Sequence, residues 1–247
     1  MKTVLITGCS SGFGKEIAGY FLEQGWSVVA TMRRPRSDVL PASDRLKILA
    51  LDVTDAASIA QAVAAAGPID VLVNNAGVGI FATLEGTPVE AARTMYETNV
   101  LGLVAMTQAV LPQFRERNEG VIINLSSATT LKPMALLSVY TGSKAAVNAF
   151  SESLALELEP FNIRVRVVIP GGSPETAFIE NAQGLTPDGI PEAYQSFAMG
   201  VFERLKTLTL ATHPDDVAQA VWRAATDPAC PMRLPAGADA IALSSAG

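Results

Sequence analysis

The chain has 247 residues, 49% of them hydrophobic, with 18 Lys and Arg against 24 Asp and Glu for a net charge of −6. That length fits one α/β domain spanning residues 1–247 with a substantial core, and the acidic balance excludes a general nucleic-acid surface. No apolar run reaches the roughly 18 residues that a membrane span needs, and one histidine excludes a multi-histidine metal site. Cys9 and Cys230 are too few for a disulfide framework and read as free thiols of a reducing compartment. The first residues already read as a strand and leave no room for a signal peptide, so a cytoplasmic location is expected.

Residues 2–7 (KTVLIT) form a short β-branched apolar run, the pattern of a strand buried on both faces. It leads into Gly8, Cys9, Ser10, Ser11, Gly12, Phe13 and Gly14, then into the helical spacing of Ile17, Ala18, Phe21 and Leu22. Strand, glycine-rich turn and helix in that order make a dinucleotide cradle. The glycines let the backbone approach a pyrophosphate, which rests on the N–H groups of the helix start. The spacing is G-x-x-x-G-x-G rather than G-x-G-x-x-G, and the alternative reading is a plain βα turn.

Strand and helix signals then alternate without a linker or internal repeat. Residues 26–31 (WSVVAT) and 46–51 (LKILAL) read as the second and third strands. Residues 55–66 are alanine-rich and helical, with Thr54 as the expected N-cap. Residues 69–73 (IDVLV) make a fourth strand, and residues 88–117 a helical stretch that either divides or runs on as one long helix. Residues 120–125 (GVIINL) give a fifth strand, residues 138–157 a helix, and residues 163–169 (IRVRVVI) a sixth strand. This is a doubly wound parallel sheet of about seven strands, with helices on both faces and order 3-2-1-4-5-6; the last strand is expected within 232–241. Right-handed crossovers bring the loops after strands one, four, five and six to one crevice at their carboxyl ends.

Tyr140 and Lys144 in that crevice's neighbourhood are four apart, so on a helix they share one face. A phenol titrates near 10 and is a poor base at neutrality, while an ammonium beside it favours the phenolate. Such a pair can exchange a proton with an alcohol or carbonyl oxygen; alone, the pattern more often marks a solvated helix face. His213 precedes Pro214, Asp215 and Asp216 and reads as a helix cap, the two carboxylates favouring the helix N-terminus. Trp222 falls on an apolar stripe with Val217, Ala218 and Val221 and reads as core.

The motifs TGCSSGFG, LDVTD, NNAG, TNVLG, INLSS, YTGSK and IPG, in this order, resemble those of the short-chain dehydrogenase/reductase family, and the resemblance runs from Lys2 to about Ala225. It implies a Rossmann fold and an enzyme that interconverts a carbonyl and an alcohol with a nicotinamide cofactor. Tyr140 would be the general acid or base, and Lys144 would tune it and hold the nicotinamide ribose. Ser127, thirteen residues before Tyr140, would hydrogen-bond the substrate oxygen. Asn99 would hold a water linking Lys144 to solvent, its alternative being a buried amide that satisfies an irregular helix. The cofactor would lie along Gly8, Ser10, Ser11, Gly12, Phe13 and Gly14, with Asn75, Ala76 and Gly77 of NNAG on its adenosine side. Asp52 and Val53 would flank the adenine, and Pro170 and Gly171 would complete the site.

The family's NAD-selecting acidic position at the end of strand two falls on Met32, followed by Arg33, Arg34 and Arg36. A guanidinium suits a 2′-phosphate, so NADP(H) is expected over NAD(H), with Arg33 its main contact; the alternative is a solvated basic loop. Residues 172–210 correspond to the variable substrate segment, and the resemblance leans toward hydroxysteroid and retinol dehydrogenases, hence a lipophilic small molecule. Within that segment, Phe178, Ile179, Tyr194, Phe197, Met199, Phe202 and Leu205 fit the lining of a pocket for an apolar alcohol or ketone; the alternative puts Tyr194, Phe197 and Phe202 on the core side of a helix. Pro170–Gly171 and Thr176 are spaced one residue wider than is usual in the family. The resemblance also implies a homodimer or homotetramer built on helices 88–117 and 138–157. A non-catalytic dinucleotide sensor on the same fold is the alternative, but it has little need of the Ser-Tyr-Lys set.

Overall fold

The apolar runs pair as β1 (Thr3–Ile6), β2 (Ser27–Met32), β3 (Leu46–Ala50), β4 (Val71–Asn74), β5 (Gly120–Leu125), β6 (Ile163–Pro170) and β7 (Arg233–Ala236). In the computed structural model, which describes residues 1–174, 189–207 and 209–245, they form one seven-stranded sheet in the order β3-β2-β1-β4-β5-β6-β7. Each neighbouring pair is parallel. The helices are α1 (Gly12–Glu23), α2 (Ala56–Ala66), α3 (Val89–Tyr96), α4 (Gly102–Arg117), α5 (Ser138–Leu158), α6 (Gln195–Lys206), α7 (Pro214–Thr226) and α8 (Ala238–Ser245).

Strand residues alternate between two cores because successive side chains point to opposite faces. Val4 and Ile6 join Phe21, Val217 and Val221 under α1 and α7, whereas Leu5 joins Ile59, Met106 and Leu154 under α2, α4 and α5. Trp222 is only partly buried, at the rim of the first core, where it meets Phe21 and Trp26 edge-on at 5.1 and 5.4 Å between ring centroids. Strand order reverses at β1 and β4, so the crevice opens above their carboxyl ends. Among the described residues, no helix is long and apolar enough to cross a membrane.

Two local expectations are corrected. The cap of α2 is Asp55, not Thr54: its carboxylate accepts the N–H groups of Ala57 and Ser58, while the Thr54 hydroxyl turns to Asp52 at 2.7 Å. The stretch 88–117 neither breaks nor stays regular, since a π-helical turn at Glu97–Leu101 joins α3 to α4. The last strand, expected within 232–241, is β7; it ends at Ala236, because Gly237 (φ +93) turns the chain into the alanine-rich α8. His213 does stand at the N-cap of α7, and its backbone N–H is taken by Asp216 at 2.9 Å.

The cap assignment is checked by urea unfolding. Asp55→Ala is expected to lower stability by about 1 kcal/mol, the usual loss for a removed N-cap, and Thr54→Ala by less than half of that.

Candidate active site

The turn after β1 is built for close backbone approach. Gly8 (φ +76) and Gly12 (φ +57) adopt left-handed conformations that side-chain residues rarely enter. A Cβ on Gly14 would overlap the Gly8 carbonyl oxygen and the Asn75 amide, so α1 starts flush against the turn. Ser11, the N-cap of α1, makes no side-chain capping bond. The first N–H groups of α1 thus lack the kind of acceptor that Asp55 gives α2, and a phosphate would supply it. The cradle therefore fits a dinucleotide.

The turn is tied to the segment after β4. Asn75 Nδ2 donates to the carbonyls of Thr7 (2.8 Å) and Gly8 (3.1 Å), and the Thr7 hydroxyl accepts the N–H groups of Asn75 (3.0 Å) and Ala76 (2.9 Å). Asn75 is expected to contact the adenosine side of a cofactor; in the structure its amide nitrogen is engaged in shaping the turn. Beyond buried Met32, Arg33, Arg34 and Arg36 are exposed, and Arg36 reaches the Ser10 carbonyl at 3.4 Å. Hydrogen bonds from the Thr54 backbone and hydroxyl hold the Asp52 carboxyl below its ordinary range, with the Arg33 charge adding to them against partial burial. Arg33 and Asp52 are therefore electrostatically linked. Val53 lies buried beneath them against Gly102.

The carboxyl end of β5 and the start of α5 supply the reactive groups. Tyr140 and Lys144 are 8% and 6% exposed, with the ammonium 6.0 Å from the phenol ring centroid. Lys144 Nζ donates to the Leu125 carbonyl at 2.9 Å, and the Tyr140 side chain is hydrogen-bonded to Ser127. Ser127 caps a short 3-10 turn, Ala128–Thr130; its oxygen accepts the Thr129 N–H at 3.3 Å. Ser126 instead donates to the Lys144 carbonyl at 3.3 Å, so the two serines are told apart by direction. Asn99, in the π-helical turn, exchanges two 2.8 Å bonds with the backbone of Val78 and donates to Ser143 at 3.1 Å. Its side chain matches the alternative reading of a buried amide in an irregular helix. Gly77 lies between this amide and the lysine: a Cβ there would sit 3.2 Å from Asn99 Oδ1 and 3.5 Å from Lys144 Nζ.

Desolvation governs both titrating groups. Burial pushes the Tyr140 phenol up to about 12, with the Ser127 hydrogen bond pulling the other way. Burial also pushes the Lys144 ammonium down to about 8. The expected lowering of Tyr140 by Lys144 is thereby corrected, since loss of solvent outweighs a cation 6.0 Å from the ring centroid. Near neutrality the pair is a protonated phenol beside a mostly protonated amine, an arrangement suited to proton donation.

An apolar wall adjoins Tyr140, made of Ile80, Phe81, Leu136, Leu137 and Val201, with Phe202 stacked on Phe81 at 5.3 Å. Of the aromatic residues expected on the core side of the helix, Phe202 is there, but Phe197 is 52% exposed and Tyr194 turns to Glu85. The helix presents Ala198, Val201 and Phe202 inward, and Phe197 falls at the flank of that stripe. Thr176, Phe178 and Ile179 lie outside the described residues. Sequence reasoning missed Leu136, whose backbone is left-handed (φ +67) and whose carbonyl accepts the Ala82 N–H at 2.9 Å. Nothing in its residue type signals this conformation. It also missed the support of Ser127, whose carbonyl accepts the Thr130 hydroxyl, itself held by Asn148 of α5.

A protein-family model described as short chain dehydrogenase matches residues 2–183, and the chain belongs to that family of oxidoreductases. The 3-ketodihydrosphingosine reductase of Bacteroides thetaiotaomicron is 41% identical over 184 residues, 73% of this chain and 66% of that protein. The NADP-dependent 3-hydroxy acid dehydrogenase YdfG of Escherichia coli (strain K12) is 39% identical over 237 residues, 92% of this chain and 90% of that one. Among solved structures, the closed form of serine dehydrogenase complexed with NADP+ superposes with a TM-score of 0.77 at 34% identity, covering 94% of this chain and 93% of that one. The chain spans 58–66% of the length of several relatives, the reductase among them.

The burial of Lys144 has a signature in stability. Its folded pKa near 8 lies below its ordinary value of 10.5, so folding is opposed below pH 8 and that opposition fades as pH rises toward 10.5. Unfolding of wild type and Lys144→Met across that range should show wild type gaining about 3 kcal/mol relative to the variant, the energy of moving the ammonium from 10.5 to about 8. A difference flat with pH would contradict the assignment.

Proposed function

We propose that the chain is an NADP(H)-dependent oxidoreductase that interconverts a carbonyl and an alcohol on a lipophilic small molecule, with Tyr140 as its general acid and base. The observation that carries this reading is the set of buried Tyr140 and Lys144 with half-buried Ser127, beside an apolar wall. The cofactor supplies or accepts the hydride. In reduction, the Tyr140 phenol donates its proton to the substrate oxygen, and Ser127 Oγ holds that oxygen as negative charge develops. In oxidation the proton returns by the same route. Lys144 stabilises the phenolate left behind, passes a proton toward it, and holds the ribose hydroxyls. Asn99, through its bonds to Val78 and Ser143, keeps the π-helical turn beside Lys144 and orders the water of the relay. Ile80, Phe81 and Leu137 exclude water and favour an apolar substrate body.

Cofactor choice rests on Arg33, with Arg34 and Arg36 adding positive charge and no carboxylate at Met32 to repel a 2′-phosphate. The NADP-dependence of YdfG and the NADP+ bound by serine dehydrogenase support the same choice. Gly8 to Gly14, Asn75 to Gly77, Asp52, Val53, Pro170 and Gly171 line the proposed path. Exposed Val89, Leu101 and Leu156 on the helices of residues 88–117 and 138–157 support a homodimer or homotetramer formed through those faces.

Loss of NADPH absorbance over a panel of lipophilic ketones, aldehydes and quinones tests the reading. NADPH-selective turnover is expected, and tight NADPH binding with no carbonyl reduced would point to a sensor instead. Tyr140→Phe should keep NADPH affinity within about threefold and lose turnover by roughly 10² or more, the scale of a removed acid–base group. Arg33→Ala should raise the KM for NADPH roughly tenfold and leave that for NADH unchanged, given what one charge-assisted contact is worth. Sedimentation at micromolar concentration should give a mass above one chain.

A further inference from the structure

Asp239 lies in the first turn of α8, yet both of its hydrogen bonds leave that helix. One carboxylate oxygen accepts the Gly172 N–H at 2.7 Å, and the other accepts the hydroxyl of fully buried Thr212 at 2.6 Å. Thr212 completes a closed set: its oxygen accepts the Gly171 N–H at 3.0 Å, and its own N–H donates to the Gly172 carbonyl at 2.9 Å. A Cβ on Gly171 would overlap the Asp239 carboxylate, so the acid is packed against the turn itself. The sheet register between β6 and β7 runs out at Pro170 and Ala236. Beyond it, Gly171 keeps one backbone bond, to the Ala236 carbonyl at 3.3 Å, and Gly172 one, from the Thr212 N–H; the remaining bonds to their N–H groups come from these two side chains.

We propose that Asp239 and Thr212 form a positioning clasp that sets the turn after β6, and through it the alignment of cofactor and carbonyl at Tyr140. The proposal rests on the oxidoreductase reading above, in which Pro170 and Gly171 border the cofactor. The clasp joins three places distant in the chain: the end of β6, the residue leading into α7, and the start of α8. It makes the last helix a determinant of turnover, although that helix contributes no group to Ser127, Tyr140 or Lys144. A charged acceptor is suited to the task because its bonds to N–H and O–H donors are stronger than those of a neutral one. A turn displaced by a fraction of an ångström costs rate rather than affinity when the rest of the ligand is anchored elsewhere.

The test uses the full chain with Asp239→Asn, which keeps the size of the side chain and removes one acceptor. Hydrogen exchange at the Gly172 and Thr212 amides should quicken roughly tenfold, the effect of losing about one hydrogen bond locally, with β1 and α1 unchanged. The kcat for carbonyl reduction should fall roughly tenfold or more, and the dissociation constant for NADPH should move by less than about threefold, because the glycine turn and Arg33 hold the other half. Thr212→Val should behave alike, Thr212→Ser should restore wild-type values, and the double variant should be no worse than either single one. Exchange that is unchanged, or raised evenly over the sheet, would overturn the clasp. Local loosening with kcat untouched would overturn its positioning role. A wild type that reduces no carbonyl, yet shows the local exchange change in Asp239→Asn, would sink the oxidoreductase reading and leave the clasp standing.

Discussion

The Lys144 ammonium and the Tyr140 phenol lie together beneath the carboxyl ends of the central strands, and removing both from water sets the terms for everything around them. An ammonium is stable there only with fixed acceptors nearby, and the Leu125 carbonyl, at the point where β5 ends, meets it at 2.9 Å. The same strand end delivers Ser127 to the phenol. One i, i+4 spacing on α5 and one strand terminus thus bring Ser127, Tyr140 and Lys144 together. The wide turn at Glu97–Leu101 belongs to the same solution, because it lets Asn99 fasten the backbone at Val78 beside a glycine that leaves room for the lysine. Irregular helix geometry is costly, and such turns are found preferentially at functional sites.

The cradle and the reactive groups are joined by polar bonds that cross the reversal of strand order. Thr7 and Asn75 exchange bonds between the loops after β1 and β4, so the position of the glycine turn depends on the segment that leads to Gly77 and Lys144. At the other rim, Asp239 and Thr212 do the same for the turn after β6. The crevice is therefore surrounded by loops whose backbones are held by side chains from other loops. That is how a fold of short connections keeps a site rigid on its loop side. The basic stretch after β2 stands apart, exposed and linked to the turn through Arg36 and Ser10.

Local periodicity made most of the fold legible. Each β-branched run became a strand, and the strand order followed from handedness and from the place of the glycine turn. Ser127, Tyr140 and Lys144 were legible because their spacings are local and their motifs recur in order. What was not legible is long-range. Thr54 and Asp55 are both good caps, and only the competing bond of Thr54 to Asp52 decides between them. The rise of the Tyr140 pKa depends on how many elements cover it, which a four-residue spacing cannot express. Phe197 and Phe202 look alike in composition, yet only Phe202 meets Phe81. Leu136 and Asp239 are ordinary residues in sequence and become special only through partners about fifty and seventy residues away.

The most direct measurement is the titration of the Lys144 ammonium itself, followed by NMR of protein carrying 13C-labelled lysine and assigned by the loss of one signal in Lys144→Met. A midpoint near 8 would establish a desolvated lysine poised to exchange protons beside a neutral phenol. A midpoint at its ordinary value of about 10.4 would mean that the amine is solvated, and the account of the site as a buried proton-transfer pair would fail.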